Sequence, residues 1–304
     1  MSIIDPNDPN LVLSPLADPV ANAMYSSVEV AGLAMESLIG ATLETDNEKL
    51  NGKITSVTPQ STYASTRRRG CRVDFKNDTD ENEKAIVEIQ INPDMGIMAR
   101  NLFATAHVLT ETSTRGDKIA QMVSKMPRVI FINILAYNIR DGKKDSKDIV
   151  QPFKVLYTKE PKEVAVPNFS GYNIQLPRIL EMKPDFTNGL YCWAYTLYTA
   201  HVEEITIQEV VAMVPALQEY SEKNAGYQQF CDRYQMGSSD PKTRNEYVLW
   251  VNDRMREEGE RQWVSDQRAI SIARKLLQRN HPIEEVIEDT GLTFEEVISL
   301  QKKL

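Results

Sequence analysis

The 304-residue sequence is poor in the residues on which much protein chemistry depends. It has three cysteines, Cys71, Cys192 and Cys231, an odd number placed far apart. That spacing argues against a disulfide framework and for a reducing, cytoplasmic setting. It offers no zinc-ligand pattern either. The three histidines, His107, His201 and His281, have no partner at metal-ligand or triad spacing. There is no glycine-rich phosphate loop, which disfavours a nucleoside triphosphatase. No apolar run is long enough to cross a bilayer, and the opening MSIIDPNDPNLVLSP lacks the basic and apolar segments of a signal peptide. Positive charge is also short: Lys and Arg number 35 against 43 Asp and Glu, for a net charge of −8. A global basic excess, common in nucleic-acid binders, is absent. A local basic groove on an acidic body stays open, because metal-binding carboxylates themselves make the total more negative.

What is present reads as a soluble globular protein, 41% hydrophobic and 26% charged. Residues 1–20, rich in Pro, Asp and Asn, predict an extended N-terminal arm. Apolar residues at helical spacing predict a helix over 25–43. KITSVT predicts a first strand, the stretch CRVDFKNDTDENEKAIVEIQI two more, and residues 94–112 a second helix. PRVIFINILAY is a continuous apolar run of the kind found in strands buried on both faces. FKVLYTK and YNIQLPRI predict further strands. After residue 185 nearly every segment reads as helix. The order is helix, three strands, helix, strand, an α/β pattern with an antiparallel meander. It divides the chain into an arm (1–20), an α/β domain (21–185) and a helical C-terminal region (186–304).

The chemistry concentrates in one hairpin. Side chains alternate along strands, so a hairpin turning at Glu81 brings Asp74 and Glu88 together on one face. Like charges opposed across a ladder destabilise it. Burial adds a penalty of several kcal/mol, or else neutralises the carboxyl. A shared divalent cation removes both costs, and all-oxygen ligands suit Mg²⁺. The competing interpretation is a solvated face, with Glu88 paired to Arg72 or Lys76.

These motifs resemble the PD-(D/E)XK nuclease superfamily, and within it the transposase-associated recombination-promoting nucleases. The resemblance rests on Val73-Asp74, on Glu88-Ile89-Gln90 in the E-x-(K/Q) position, and on Arg100-Asn101-Leu102-Phe103 in the helix that follows. It continues through Gly116, PRVIFINIL, Gln175-Leu176-Pro177-Arg178 and IEEVIEDTGLTFEEV. It implies an α-β-β-β-α-β core with a mixed sheet, acting as a Mg²⁺-dependent DNA endonuclease linked to mobile elements and recombination. It also implies Asp74, Glu88 and the backbone carbonyl of Ile89 as metal ligands, with Gln90 in place of the usual lysine and a further acid from the first helix. Glu36 is the candidate for that acid, with Glu29 one heptad earlier. Gln90 carries no charge and cannot act as a base. The alternative is therefore a weak or inactive nuclease fold that serves as a DNA- or protein-interaction module.

Arg100 and the run Arg67, Arg68, Arg69 are candidate phosphate contacts, which give affinity without reading sequence; an exposed turn explains the run equally well. The C-terminal residues 282–304 read as two short helices around Gly291, with a capping box at Thr293 and Glu296. Six acids in this unit, Glu284, Glu285, Glu288, Asp289, Glu295 and Glu296, against Lys302 and Lys303, disfavour DNA recognition by it. Packing or homodimerisation suits that composition better.

Overall fold

A computed structural model describes residues 4–63, 71–93, 96–111, 118–139, 148–160 and 163–302. Helices α1 (Asp18–Met24) and α2 (Val28–Glu44) precede strands β1 (Ile54–Tyr63), β2 (Cys71–Thr79) and β3 (Glu83–Gln90). Helices α3 (Ile97–Thr110) and α4 (Ile119–Lys125) lead to β4 (Arg128–Leu135), β5 (Val150–Phe153) and β6 (Phe169–Gln175). The remainder is helical: α5 (Arg178–Glu181), α6 (Gly189–Val202), α7 (Ile207–Met213), α8 (Pro215–Lys223), α9 (Ala225–Ser239), α10 (Pro241–Gln278), α11 (Ile283–Thr290) and α12 (Phe294–Gln301). The core order is the one the hydrophobic pattern implied.

The six strands form one mixed sheet in the order β1-β2-β3-β4-β6-β5. β1, β2 and β3 are an antiparallel meander, and β3, β4 and β6 run parallel. The parallel strands are covered on both faces, so β4 and β6 are buried throughout except at Arg128. Glu83 fixes where β3 begins. It is 3% exposed, and its carboxylate accepts from the amide of Asn51 at 2.7 Å, from Asn51 Nδ2 at 2.7 Å and from Arg128 Nη1 at 2.8 Å. A buried carboxylate with three donors resists a slip in register.

Two expectations need correction. FKVLYTK is not a strand beyond Phe153. The edge strand β5 instead pairs Val150–Phe153 with β6, and the Phe153 ring fills the space a side chain at Gly171 would need. After it, Lys154 turns the chain toward Asp46 and Glu48, which its amine contacts at 3.0 and 2.6 Å. The extended N-terminal arm expected over 1–20 ends sooner, where α1 begins at Asp18, and it is held against the helices. Leu13, Leu16 and Ala17 are buried, Tyr234 Oη donates to the Leu13 carbonyl at 2.7 Å, and the Arg244 guanidinium donates to the carbonyls of Pro6, Asp8 and Leu11.

The chain divides into two compact units at Tyr247/Val248, so the change from strand to helix near residue 185 falls inside the first. The reason is an aromatic seam shared by α2, α6 and α9. Trp193 packs against Tyr227 and Phe230, with ring centroids 5.3 and 4.5 Å away. Trp193 Nε1 donates to Ser37 Oγ of α2, which donates to Asn224 Oδ1. In the second unit Ala273, Leu277, Val286, Leu292, Val297 and Leu300 form a small core of their own. There Gly291 ends α11 at φ +69°, and the Thr293–Glu296 capping box starts α12.

The α2–α9 seam supplies a stability test. A Cβ at Gly226 would fall on the Leu33 carbonyl oxygen of α2. Gly226→Ala should therefore destabilise the first unit by ~1–3 kcal/mol, the usual cost of overpacking, seen as a lower urea midpoint. An unchanged midpoint would show that the two helices do not approach this closely.

Candidate active site

Strand pairing builds the site. β2 and β3 pair with Phe75 opposite Val87 and Asp78 opposite Lys84, around a turn centred on Glu81. One step further along the same register Asp74 opposes Glu88. Here side chains replace main-chain partners. The Ile89 amide donates to Asp74 Oδ2 at 2.8 Å, and the Asp74 amide donates to Glu88 Oε1 at 3.3 Å. Each carboxylate thus accepts from the backbone at its neighbour's strand, which holds the two side by side. Gln90 Nε2 donates to Glu88 Oε2 at 3.3 Å. Glu88 is 5% exposed and stands beside Asn133 of β4, itself buried and donating to Asn173 Oδ1 at 2.7 Å.

Burial raises both carboxyls, Asp74 to about 6 and Glu88 to about 8. The charge on Asp74 raises Glu88 further, and Asp18 in α1 does the same to Asp74. The Arg100 guanidinium, in the first turn of α3, pulls both down, and Arg72 pulls down Asp74. An all-oxygen, anionic, partly desolvated donor set of this kind fits a hard divalent cation and not a thiolate-loving one. Among the described residues no three His, Cys, Asp or Glu side chains group as a metal cage. Beyond the pair, ligands would come from main-chain oxygen, such as the Ile89 carbonyl, and from water.

The structure therefore brings together Asp74, Glu88, Gln90, Ile89 and Arg100. Glu36 does not join them. Its carboxylate accepts from the Ile54 amide at 2.8 Å, at the head of β1. Gln60, which falls opposite Asp74 by count between the pairs Pro59–Phe75 and Ser61–Val73, is six residues away along that strand, or roughly 20 Å at strand rise. Glu29 is exposed on α2, where a Ser27 hydrogen bond lowers its carboxyl. Arg67, Arg68, Arg69 and Gly116 lie outside the described residues.

Two residues at the site escaped the reading of the sequence. Asp18 and Gln60, with Ala21, Asn22, Asp74, Phe75 and Ile89, line a cavity of about 10 Å³, room for about one water. Asp18-Pro19 was a legible helix start, since proline favours the first turn. Pro59 was a legible sign of irregularity in β1.

A family model described as PD-(D/E)XK nuclease family transposase matches residues 24–256 of the chain. No curated protein and no solved structure matches it.

The raised carboxyls imply a pH dependence of folding. Both groups have folded-state values above their unfolded ones, so the stability they contribute is complete below about pH 4 and is lost as pH rises through about 6 and then about 8. Metal-free protein should lose on the order of a few kcal/mol between pH 5 and 9, and Glu88→Gln should remove most of that slope in urea titrations. A slope that Glu88→Gln leaves intact would place the responsible group elsewhere.

Proposed function

Because the chain belongs to the PD-(D/E)XK nuclease family transposases, we propose that it is a Mg²⁺-dependent endonuclease that hydrolyses phosphodiester bonds in DNA. The observation that carries this reading is the interlocked pair of buried carboxylates, Asp74 and Glu88, at the point where the β2–β3 ladder gives way. These two, with the Ile89 carbonyl, would hold the cation. When bound, such an ion acts as a Lewis acid on a phosphoryl oxygen and offsets the charge that builds as the P–O bond breaks. Arg100 already acts on both carboxyls, so a phosphate drawn to it would lie over the pair. Arg67, Arg68 and Arg69, just ahead of β2 in sequence, would extend that contact along the backbone of the DNA. Gln90 fixes the rotamer of Glu88 through its amide and leaves Oε1 to hold a water. The helical C-terminal region is the proposed homodimer contact, with Trp263 and Val264 exposed on α10.

One observation favours a second interpretation, a nuclease fold kept for binding. Gln90 stands where the usual superfamily motif has lysine, and its amide nitrogen is engaged by Glu88. Metal binding without cleavage would support it.

Three outcomes are expected. Purified protein should nick plasmid DNA with Mg²⁺, and Asp74→Ala or Glu88→Ala should each reduce the rate at least ~100-fold, since even outer-shell changes at metal sites cost ~10–100-fold. Equal nicking by all three proteins would end the catalytic reading. Metal binding displaces protons from raised carboxyls, so calorimetric Mg²⁺ affinity should strengthen as pH rises from about 6 to about 8. Arg100→Ala should weaken DNA binding and reduce the slope of log K against log salt by about 1, as loss of one phosphate contact does. An unchanged slope would remove Arg100 from the interface.

A further inference from the structure

Gln60 sits in β1 between Pro59, which opposes Phe75, and Ser61, which opposes Val73. By count it faces Asp74. Its φ is +51°, and it is the one non-glycine residue among the described strands in the left-handed region. Asn47, Asn82, Glu204 and Asn280 share that conformation but lie in turns. For a residue with a Cβ this backbone is disfavoured by contact with the carbonyl oxygen. Asn and Asp tolerate it through local hydrogen bonds; glutamine's longer side chain is not suited to that. Strain of this kind persists where the surroundings impose it, and it gathers at functional sites.

The strained position coincides with the site: Gln60 lines the small cavity with Asp18, Asp74 and Ile89. Ala21, Phe75 and Ile89 in that lining are buried, whereas Gln60 is exposed. Gln90, the amide that the motif suggests for contact with the reacting groups, is held on Glu88. Two acids line the cavity with Gln60, and an anionic phosphate approaching them needs a hydrogen-bond donor beside them, which a side-chain amide supplies.

We propose that Gln60 is a further catalytic residue of this site, whose side-chain Nε2–H donates to a non-bridging oxygen of the scissile phosphate. This deepens the endonuclease reading and rests on it. The position lies inside the family-matched span but outside the D…E-x-Q motif.

The test uses Gln60→Gly, which relieves the backbone and removes the amide, and Gln60→Met, which keeps the length of the side chain and removes only the amide. Gln60→Gly should melt several degrees higher than wild type yet cleave at least ~10-fold more slowly, the loss of ~1.4 kcal/mol per decade that one hydrogen bond to a charged group can account for. Gln60→Met should melt with wild type and show the same loss of rate. Both should bind a DNA duplex about tenfold more weakly in Ca²⁺ by fluorescence anisotropy. Full-rate cleavage by Gln60→Met would overturn the proposal while leaving the nuclease reading intact. If wild type cleaves nothing, the nuclease reading fails first, and the anisotropy arm decides for Gln60: unchanged affinity in both variants overturns the contact, and weakened affinity supports it. Should Gln60→Gly fail to fold, Gln60→Met carries both arms.

Discussion

Two carboxylates share one buried edge of a hairpin, and the local structure is arranged around tolerating them. A like-charged pair across a ladder is ordinarily repelled, and burial disfavours its charged form further. Here the backbone accommodates the pair by surrendering ladder hydrogen bonds to it: the amides of Asp74 and Ile89 both donate to carboxylate oxygens. Gln90 adds a third donor and Arg100 a positive charge. None of these cancels the cost, since both carboxyls stay raised. A site that is unsatisfied by its own protein is suited to a charged guest.

The rest of the first unit keeps that edge in place. Glu83, at the other end of β3, is fully hydrogen-bonded to Asn51 and Arg128 and anchors the strand's register. Parallel pairing with β4 and β6 buries the strand on both faces and leaves no room for a shift by one residue. α3 packs its buried side, through Ala104 and Val108, against Val73, Ile86 and Phe131, which carries Arg100 to the mouth of the hairpin. Glu36 contributes as a structural acid, joining α2 to the head of β1. Asp18, from α1, lies by Asp74, on an N-terminal segment that Tyr234 and Arg244 hold against α9 and the start of α10.

Much of this was legible in the residues. The alternation in VDF and AIVEIQI, with a turn at Glu81, is enough to place Asp74 beside Glu88, because side-chain direction repeats every two residues. The apolar run of β4, the following helix and the Thr293–Glu296 cap carry their own local signals. What was not legible depends on packing. FKVLYTK has strand composition, but only its Phe153 pairs with β6, opposite Gly171. The boundary drawn near residue 185 follows a change from strand to helix, and the two compact units follow which surfaces pack together.

The sequence by itself determined the carboxylate pair, since period-two geometry and a short turn are local properties that no distant contact need supply. Only the tertiary structure decided which helical acid reaches the pair and which residue is strained against it. Asp18 lies more than fifty residues before Asp74, and Gln60, with its left-handed backbone, lies on β1, a strand that the chain leaves before it enters β2. Proximity across such separations depends on how helices and sheet pack as solids, and no periodicity along the chain encodes it.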